Sequence, residues 1–126
     1  MRLHVTQVFD DAVVGTGNVY TSPEFEELLG LADRSAIQAV VDQVSGTTPT
    51  LTVSFEHGTD GRNWSAKNGT AEINAQALVS NATNNLTGTE AGSNPSHGRA
   101  RLRIALAGTT PQARLRIYVT GRTRVT

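Results

Sequence analysis

The chain has 126 residues, 11 basic and 11 acidic, and no cysteine. This length suits one domain with its own apolar core, and the absence of cysteine excludes a disulfide scaffold and a thiolate metal site. No apolar run approaches the roughly 20 residues of a membrane span, and the first residues lack the apolar core of a signal peptide. We therefore expect a soluble protein made in the cytoplasm, with no membrane partner.

The neutral net charge conceals a division along the chain. All 11 acidic residues lie between positions 10 and 90, and residues 1–90 contain only four basic residues, whereas the seven basic residues after position 90 are all arginines. Residues 1–90 therefore carry −7 and residues 91–126 carry +7. A nucleic-acid binder usually has a basic excess and often interleaved aromatic residues. We expect charge pairing within or between subunits, and no nucleic-acid partner.

Residues 1–18 are interpreted as an N-terminal arm that contains a first strand. Leu3 and Val5 alternate with polar residues, Asp10 and Asp11 interrupt the pattern, and the letters GTGN that follow mark a turn.

Residues 22–30 give conflicting signals. Ser22 could cap a helix that begins at Pro23 and ends at Gly30, but a helix of barely two turns is marginal unless it is packed. The alternative is an irregular edge strand, since proline suits sheet edges. We prefer the strand.

Residues 35–64 predict a strand, a tight turn, a second strand and a second turn. Apolar residues alternate on both sides of SGTTP at 45–49, which is typical of a sheet with one buried face. Gly46 can take the positive φ of a turn, and Pro49 suits the entry to a strand. Asp60-Gly61 indicates the second reversal.

A further strand is predicted at 71–79, followed by a long polar loop at 80–98. This loop contains one large apolar residue, Leu86, so it cannot bury enough surface to hold itself in one shape. Alternation returns on both sides of a second GTTP, at 108–111. The two GTTP segments thus predict two similar hairpins, and two hairpins suggest two sheets.

These elements predict an all-β fold. We expect an antiparallel β-sandwich, jelly-roll-like, with six to eight short strands and at most one short helix, as a single domain over residues 1–126. The candidate core residues are Ile37, Val41, Leu51, Val53, Phe55, Trp64, Leu102, Ile104, Leu115 and Ile117.

The sequence contains no arrangement typical of catalysis or metal binding, so we expect no enzyme, no metal and no cofactor. Three histidines share no ligand spacing, namely His4, His57 and His97. Neighbouring residues of a strand point to opposite faces, so Asp10-Asp11 and Glu26-Glu27 are unsuitable as acid–base pairs. No serine lies in a nucleophile elbow. A hydrolase would need a cluster around His57 and Asp60.

The arginines are the most specific electrostatic feature. If the last two strands pair, four arginines share one sheet face, namely Arg101, Arg103, Arg114 and Arg116. Like charges directly across a sheet repel, so acidic groups must cover them. These acids could belong to adjacent strands, for example Glu56 or Asp42, or to a neighbouring subunit or partner. The candidate interface comprises these four arginines with Arg122 and Arg124.

Trp64 is the only tryptophan, and it allows two interpretations. We expect a buried plug that closes one end of the sandwich, since a large aromatic side chain is usually well buried. The alternative is a stacking surface for a glycan, with the polar residues Arg62, Asn63 and Asn68 beside it.

Two segments, VSGTTPTLTVSFEHGTDGRNW and RLRIALAGTTPQARLRIYV, resemble a pattern in small structural proteins of tailed-bacteriophage particles. In that pattern one strand ends in SGT-x-PTL, the next ends at a D-G-x-x-W turn, and a closing pair reads RLR…GTTP. The resemblance covers residues 36–64 and 99–120 of the chain.

The resemblance implies a β-sandwich without catalytic residues that acts as a capsid decoration or minor capsid protein. Such a protein binds the outer surface of a phage-like particle and stabilises it through contacts between subunits. The implied partners are the major capsid protein, or another particle protein, and further copies of the chain in a homo-oligomer such as a trimer. The implied location is the virion, assembled in the host bacterial cytoplasm. The alternative function is a glycan-binding, adhesive β-sandwich module.

Overall fold

The computed structural model describes residues 2–90 and 98–123, and the side chains of residues 5–32, 35–90 and 98–121. The elements, in chain order, are β1 (Arg2–Val14), β2 (Gly17–Tyr20), a 3-10 turn (Pro23–Phe25) that continues into α1 (Glu26–Leu31), β3 (Ala32–Gly58), β4 (Ser65–Ala66), β5 (Ile73–Ala77), β6 (Asn84–Thr89) and β7 (Arg99–Thr123). The predicted all-β class is confirmed. Among the described residues, no helix is long and apolar enough to cross a membrane.

Strands β3 and β7 organise the sheet. They have 27 and 25 residues and pair antiparallel along almost their whole lengths. The ladder shifts register between residues 42 and 50 of β3, and this break divides the sheet into two parts. In the first half-sheet, β1 and β6 flank residues 112–123 and 32–42. In the second half-sheet, β2, β4 and β5 flank residues 99–107 and 50–58.

Side chains from both half-sheets form a single apolar cluster, so the two half-sheets enclose a sandwich core. The predicted alternation is observed, and each fully buried aliphatic or aromatic side chain contributes about 1.5–3 kcal/mol. Nine of the ten candidate core residues are buried, namely Ile37, Val41, Leu51, Val53, Phe55, Leu102, Ile104, Leu115 and Ile117. The exception is Trp64.

The two GTTP segments do not form hairpins, and that prediction is wrong. Thr47 lies opposite Thr109, so the segments pair with each other while both strands bend and continue. The backbone has positive φ at Gly46 (108°) and Gly108 (127°). Positive-φ residues can bend a strand as well as reverse it, and here they carry each long strand from one half-sheet into the other. Consequently β3 and β7 are not short strands.

The chain also crosses between half-sheets where β1 ends. Gly15 lies at this crossing, and its N–H donates to the Pro111 carbonyl oxygen at 2.8 Å. β1 belongs to the first half-sheet and β2 to the second. Asp10 and Asp11 do not interrupt β1, contrary to expectation, because both take part in its pairing with β7.

Two further predictions are corrected. Residues 22–30 contain the 3-10 turn and α1 rather than a strand; this short helix is held by the burial of Leu29 (2% exposed) and by an ion pair between Glu26 and Arg99. The segment 80–98 is not one long loop, because it contains β6, which pairs with residues 36–41. Residues 91–97 lie outside the described residues.

A buried ion pair links the two half-sheets. The Nζ atom of Lys67, which follows β4, lies 3.0 Å from Oε2 of Glu90, which follows β6, and their side chains are 1% and 2% exposed. Glu90 Oε1 also accepts a hydrogen bond from the Ser35 N–H at 3.2 Å. Buried charges are costly unless they are paired and hydrogen-bonded, and this pair meets both conditions.

A second carboxylate extends this network. The Asn68 side-chain amide donates to Glu90 Oε2 and to Glu72 Oε1, and Glu72 Oε2 accepts from the Phe55 N–H. Burial raises the pKa of the Glu72 carboxyl above its ordinary value, although these hydrogen bonds act in the opposite direction. The network thus connects β3 at two points to the chain around β4, β5 and β6.

We expect Gly46→Ala to destabilise the fold by about 2 kcal/mol or more, because a positive φ strains an alanine. In addition, the added Cβ would lie 2.8 Å from the Thr110 carbonyl oxygen. Urea unfolding measures the loss. Gly15→Ala isolates the strain, since its φ is 83° and nothing lies within 4 Å, and Gly69→Ala is the neutral control. Equal free energies of unfolding for all three variants would contradict the packed bend.

We expect Lys67→Met to cost about 3–5 kcal/mol, because it leaves the Glu90 charge buried without its partner. Adding Glu90→Gln should recover part of this loss, since the remaining group is neutral. Urea unfolding at neutral pH measures both variants, with the exposed Arg62→Met as control. A single variant as stable as this control would show that the pair does not hold the half-sheets.

Candidate functional site

The structure separates the four arginines that were predicted to share a face. Arg101 and Arg103 lie on the second half-sheet, whereas Arg114 and Arg116 lie beyond the bend, on the first. The prediction failed because it assumed that the two parts of β7 pair with each other. The side chain of Arg122 and the whole of Arg124 lie outside the described residues.

Acidic groups on adjacent strands cover three of these arginines, so the alternative of pairing within the chain is the one observed. Arg101 Nε lies 2.9 Å from Glu56 Oε1, and Arg116 Nη2 lies 3.6 Å from Asp42 Oδ2. The third pair joins Arg114 to Asp10, with side chains about 40% exposed. The charges of these three arginines are therefore neutralised by carboxylates on adjacent strands of the same subunit.

The most distinctive outer surface is an aromatic–arginine cluster formed by Tyr20, Glu56, Trp64 and Arg101. The Arg101 guanidinium carbon lies 3.8 Å from the centroid of the Tyr20 ring and 4.4 Å from that of the Trp64 ring. Cation–π contacts of this kind contribute about 0.5–2 kcal/mol each. Trp64 is partly exposed, so the expectation of a buried plug is wrong. Arg101 fixes both rings at the surface.

The turn at Asp60 positions Trp64. Asp60 Oδ1 accepts hydrogen bonds from the backbone N–H groups of Arg62 and Asn63, both at 2.9 Å, and Oδ2 accepts from the Asn63 side chain. These hydrogen bonds lower the pKa of Asp60 to about 2. β4 then pairs with Glu56 and its neighbour, which brings Trp64 beside the β3–β7 ladder. The reversal predicted from Asp60-Gly61 is thus observed.

Strand register positions the rest of the cluster. Arg101 is the cross-strand partner of Glu56, and Tyr20 on β2 is the partner of Arg103. Tyr20 is 38% exposed, and the side chains of Arg101 and Glu56 are 21% and 15% exposed. Alternating residues of a strand share a face, so the rings and the ion pair belong to the same outer surface.

The cluster retains hydrogen-bonding capacity. Within the described part of the chain, only Nε of the Arg101 guanidinium has a hydrogen-bond partner, and only Oε1 of Glu56 accepts a side-chain hydrogen bond. Arg101 therefore keeps N–H donors, and Glu56 keeps a carboxylate oxygen, that no hydrogen bond between the described side chains uses. Beside them, the outer face continues through small, half-buried residues, namely Thr52, Ser54 and Ala105.

The histidine and carboxylate candidates do not converge. His57 and Asp60 both line an open depression of about 360 Å³, but both carboxylate oxygens of Asp60 are occupied by the turn. No group of His, Asp and Glu side chains that could hold a metal ion occurs among the described residues. Glu26 and Glu27 both contact Arg99, at 3.4 and 3.7 Å. His97 and the side chain of His4 lie outside the described residues.

No protein-family model and no curated protein matches the chain. Its fold is similar to those of several solved structures. A chain in the structure of infectious bursal disease virus, strain Gt, superposes with a TM-score of 0.60 at 13% identity. The match covers 94% of this chain and 31% of the viral chain. The VP2 subviral particle of the same virus gives 0.57 at 12% identity, over 96% and 32%. This chain thus spans about a third of the viral chains.

A carbohydrate-binding domain has a similar fold. The CBM22-1 xylan-binding domain of Paenibacillus barcinonensis Xyn10C gives a TM-score of 0.51 at 12% identity, over 97% of this chain and 87% of that domain. These likenesses, at such low identity, establish a β-sandwich fold that occurs in both viral capsid proteins and glycan-binding modules.

We expect Arg101→Glu to lower the free energy of unfolding by about 2–4 kcal/mol, because it places two carboxylates across the ladder and removes both cation–π contacts. Arg114→Gln should cost about 0–1 kcal/mol, since it removes only a largely solvated pair and places no second carboxylate on the ladder. Urea unfolding and sedimentation velocity are measured on both variants. Altered sedimentation with unchanged unfolding would instead assign these arginines to contacts between subunits.

Proposed function

We propose that this chain is a structural protein of a phage-like particle, a capsid decoration or minor capsid protein that binds the outside of the shell. The observation that carries the proposal is the fold, which matches the viral capsid chains over 94% of its length with a TM-score of 0.60. The SGTTPTL, DGRNW and GTTP segments, which resemble those of tailed-phage structural proteins, support the same role. The proposed location is the virion.

The architecture suits a role in which rigidity matters more than chemistry. Both long strands run through the two half-sheets, and the buried Lys67–Glu90 pair ties the half-sheets together. Deformation of one half-sheet is therefore resisted by the other. The proposed partners are the major capsid protein, or another particle protein, and further copies of the chain in a homo-oligomer such as a trimer.

Charge pairing inside the subunit changes how assembly would work. Acidic side chains within the chain pair with Arg101, Arg114 and Arg116, so these three arginines are already neutralised and do not need a neighbouring subunit to balance their charge. Surface ion pairs weaken as salt screens them. We therefore propose that contacts with the shell depend mainly on shape and apolar surface, and that association tolerates high ionic strength.

We expect the protein to band with particles in a sucrose gradient, prepared from cells that produce particles and the chain together. Quantitative mass spectrometry of the band should give a copy number in a fixed ratio to the major capsid protein, at low and at high salt. Arg62→Met is a matched surface control that should band equally. Recovery only at the top of the gradient would contradict a structural role.

A second candidate function is carbohydrate recognition. Trp64 and Tyr20 are held at the surface rather than buried, which was the outcome expected for a glycan-binding module. The xylan-binding domain that the fold resembles is matched over 87% of its length, so this chain is comparable in extent to a complete module of that kind. The two functions are compatible, since an adhesive module can be part of a particle.

A further inference from the structure

We propose that the aromatic–arginine cluster of Tyr20, Glu56, Trp64 and Arg101 is a binding site for a neutral oligosaccharide. This inference rests on the second candidate function and gives it a location and a ligand class. It is independent of the proposed particle role.

The first support is the preorganisation of the aromatic surface. The guanidinium of Arg101 lies between the rings of Tyr20 and Trp64, at 3.8 and 4.4 Å from their centroids, yet both rings keep exposed surface. A ring already fixed in place loses little conformational entropy when a ligand stacks on it. Rings of this type present an apolar body to a ligand while their polar atoms stay hydrated.

The second support is the pattern of donors and acceptors. Arg101 has N–H groups without a partner among the described residues, and they lie beside Glu56, which uses one of its carboxylate oxygens in the 2.9 Å ion pair. A sugar hydroxyl both donates and accepts hydrogen bonds. Two hydroxyls on neighbouring ring carbons can therefore engage the arginine and the carboxylate together, with the directional precision typical of polar groups in ligand sites.

The third support is charge. The central pair of Arg101 and Glu56 is neutral as a unit, so the cluster itself offers no net charge to an anionic ligand. Arg103, the cross-strand partner of Tyr20 and Ser54, lies on the same face and has no ion-pair partner among the described residues. Its charge is the feature of this face that an acidic sugar would use, and the acidic comparison ligand tests it. Burying an unpaired charged ligand group against a compensated ion pair would be costly. A neutral sugar avoids that cost.

The fourth support is the shape of the surrounding face. Apart from Arg103, the outer residues of β3 and β7 along the strands from the cluster are small, namely Thr52, Ser54 and Ala105. They leave an open surface beside the rings on which further sugar units can lie, so an oligosaccharide fits better than a single sugar.

The same residue types also occur at protein–protein hot spots, and the surroundings decide between the two ligands. Hot spots lie in well-packed apolar patches. Here the other exposed large apolar side chains lie elsewhere, on β1, on α1 and after β5, namely Val5, Val14, Leu31 and Val79. The polar face around Tyr20 therefore favours a glycan.

Intrinsic fluorescence tests this site, because Trp64 is the only tryptophan. The full chain is titrated with neutral β-1,4-linked hexaoses of xylose, glucose and mannose, and with an oligogalacturonate as the acidic comparison. We expect a neutral hexaose to change the emission of Trp64 and to bind equally well at low and high salt. Calorimetry gives the affinities of the variants.

We expect Tyr20→Ala to weaken binding about tenfold or more, as loss of a stacked aromatic ring does. Arg101→Lys, which keeps the charge but loses the planar stack, should weaken binding as well. Tyr118→Ala is the matched control, since Tyr118 is a half-buried residue on the first half-sheet, and it should bind as the unaltered chain does. Thermal melting establishes that each variant is folded.

The remaining outcomes are distinguishable. A hexaose that binds the unaltered chain, Tyr20→Ala and Arg101→Lys equally overturns the site but keeps carbohydrate recognition. If only the oligogalacturonate binds, the proposal of a neutral ligand is wrong. No binding of any sugar overturns both the site and the second candidate function. If Tyr20→Ala then also loses its place in the particle band, the cluster contacts a protein. The particle role is decided separately, by banding of the unaltered chain.

Discussion

The architecture depends on the contact between two bends of identical sequence. The GTTP of β3 packs on the GTTP of β7, with Gly46 against the backbone of residues 109–111 and Gly108 against that of residues 47–49. A side chain at either glycine would meet backbone atoms of the opposite bend. Because both strands turn together, the ladder between them resumes on each side, and one continuous sheet becomes the two layers of a sandwich.

This contact also determines the surface charge. The bend places the arginines of β7 on two different outer faces, where acidic residues of β1 and β3 oppose them. A sequence divided into an acidic and a basic part thus folds so that Arg101, Arg114 and Arg116 are neutralised by carboxylates of the same subunit. One of these pairs, Arg101 with Glu56, also orders the two aromatic rings of the cluster. The same ion pair therefore contributes to stability and creates the surface proposed to bind sugars.

Much of the fold could be predicted from the sequence, because alternation of apolar and polar residues reports directly which face of a strand is buried. Ile37, Leu51 and Leu115 follow this rule and lie in the core. Strand pairing could not be predicted, since GTTP has the composition of a turn, and only the packing of one bend on the other shows that neither strand reverses. For residues 22–30 the sequence allows a helix or a strand, and it favours the wrong one because a helix of barely two turns owes its stability to tertiary contacts.

The candidate site was only partly predictable. Trp64 was recognised as ambiguous, but its contact with Arg101 and Tyr20 depends on the pairing of β2 with β7, which no local pattern reveals. The buried Lys67–Glu90 pair gave one weak signal: Lys67 is the only lysine in a chain whose other ten basic residues are arginines. The pairing of strands that are distant in sequence brings such residues together, and no local sequence pattern reports that pairing.

The position of β7 has a consequence for how the chain reaches its folded state. β7 is made after every strand it pairs with, yet it lies between β1 and β3 in one layer and between β2 and β3 in the other. Until residues 99–123 emerge from the ribosome, β3 lacks its main partner and its open edge can pair with other chains. Folding is then dominated by contacts distant in sequence, which makes it slow. Synthesis and folding are thus separated in time, and a cell that makes many copies must protect the unpaired β3 in the interval.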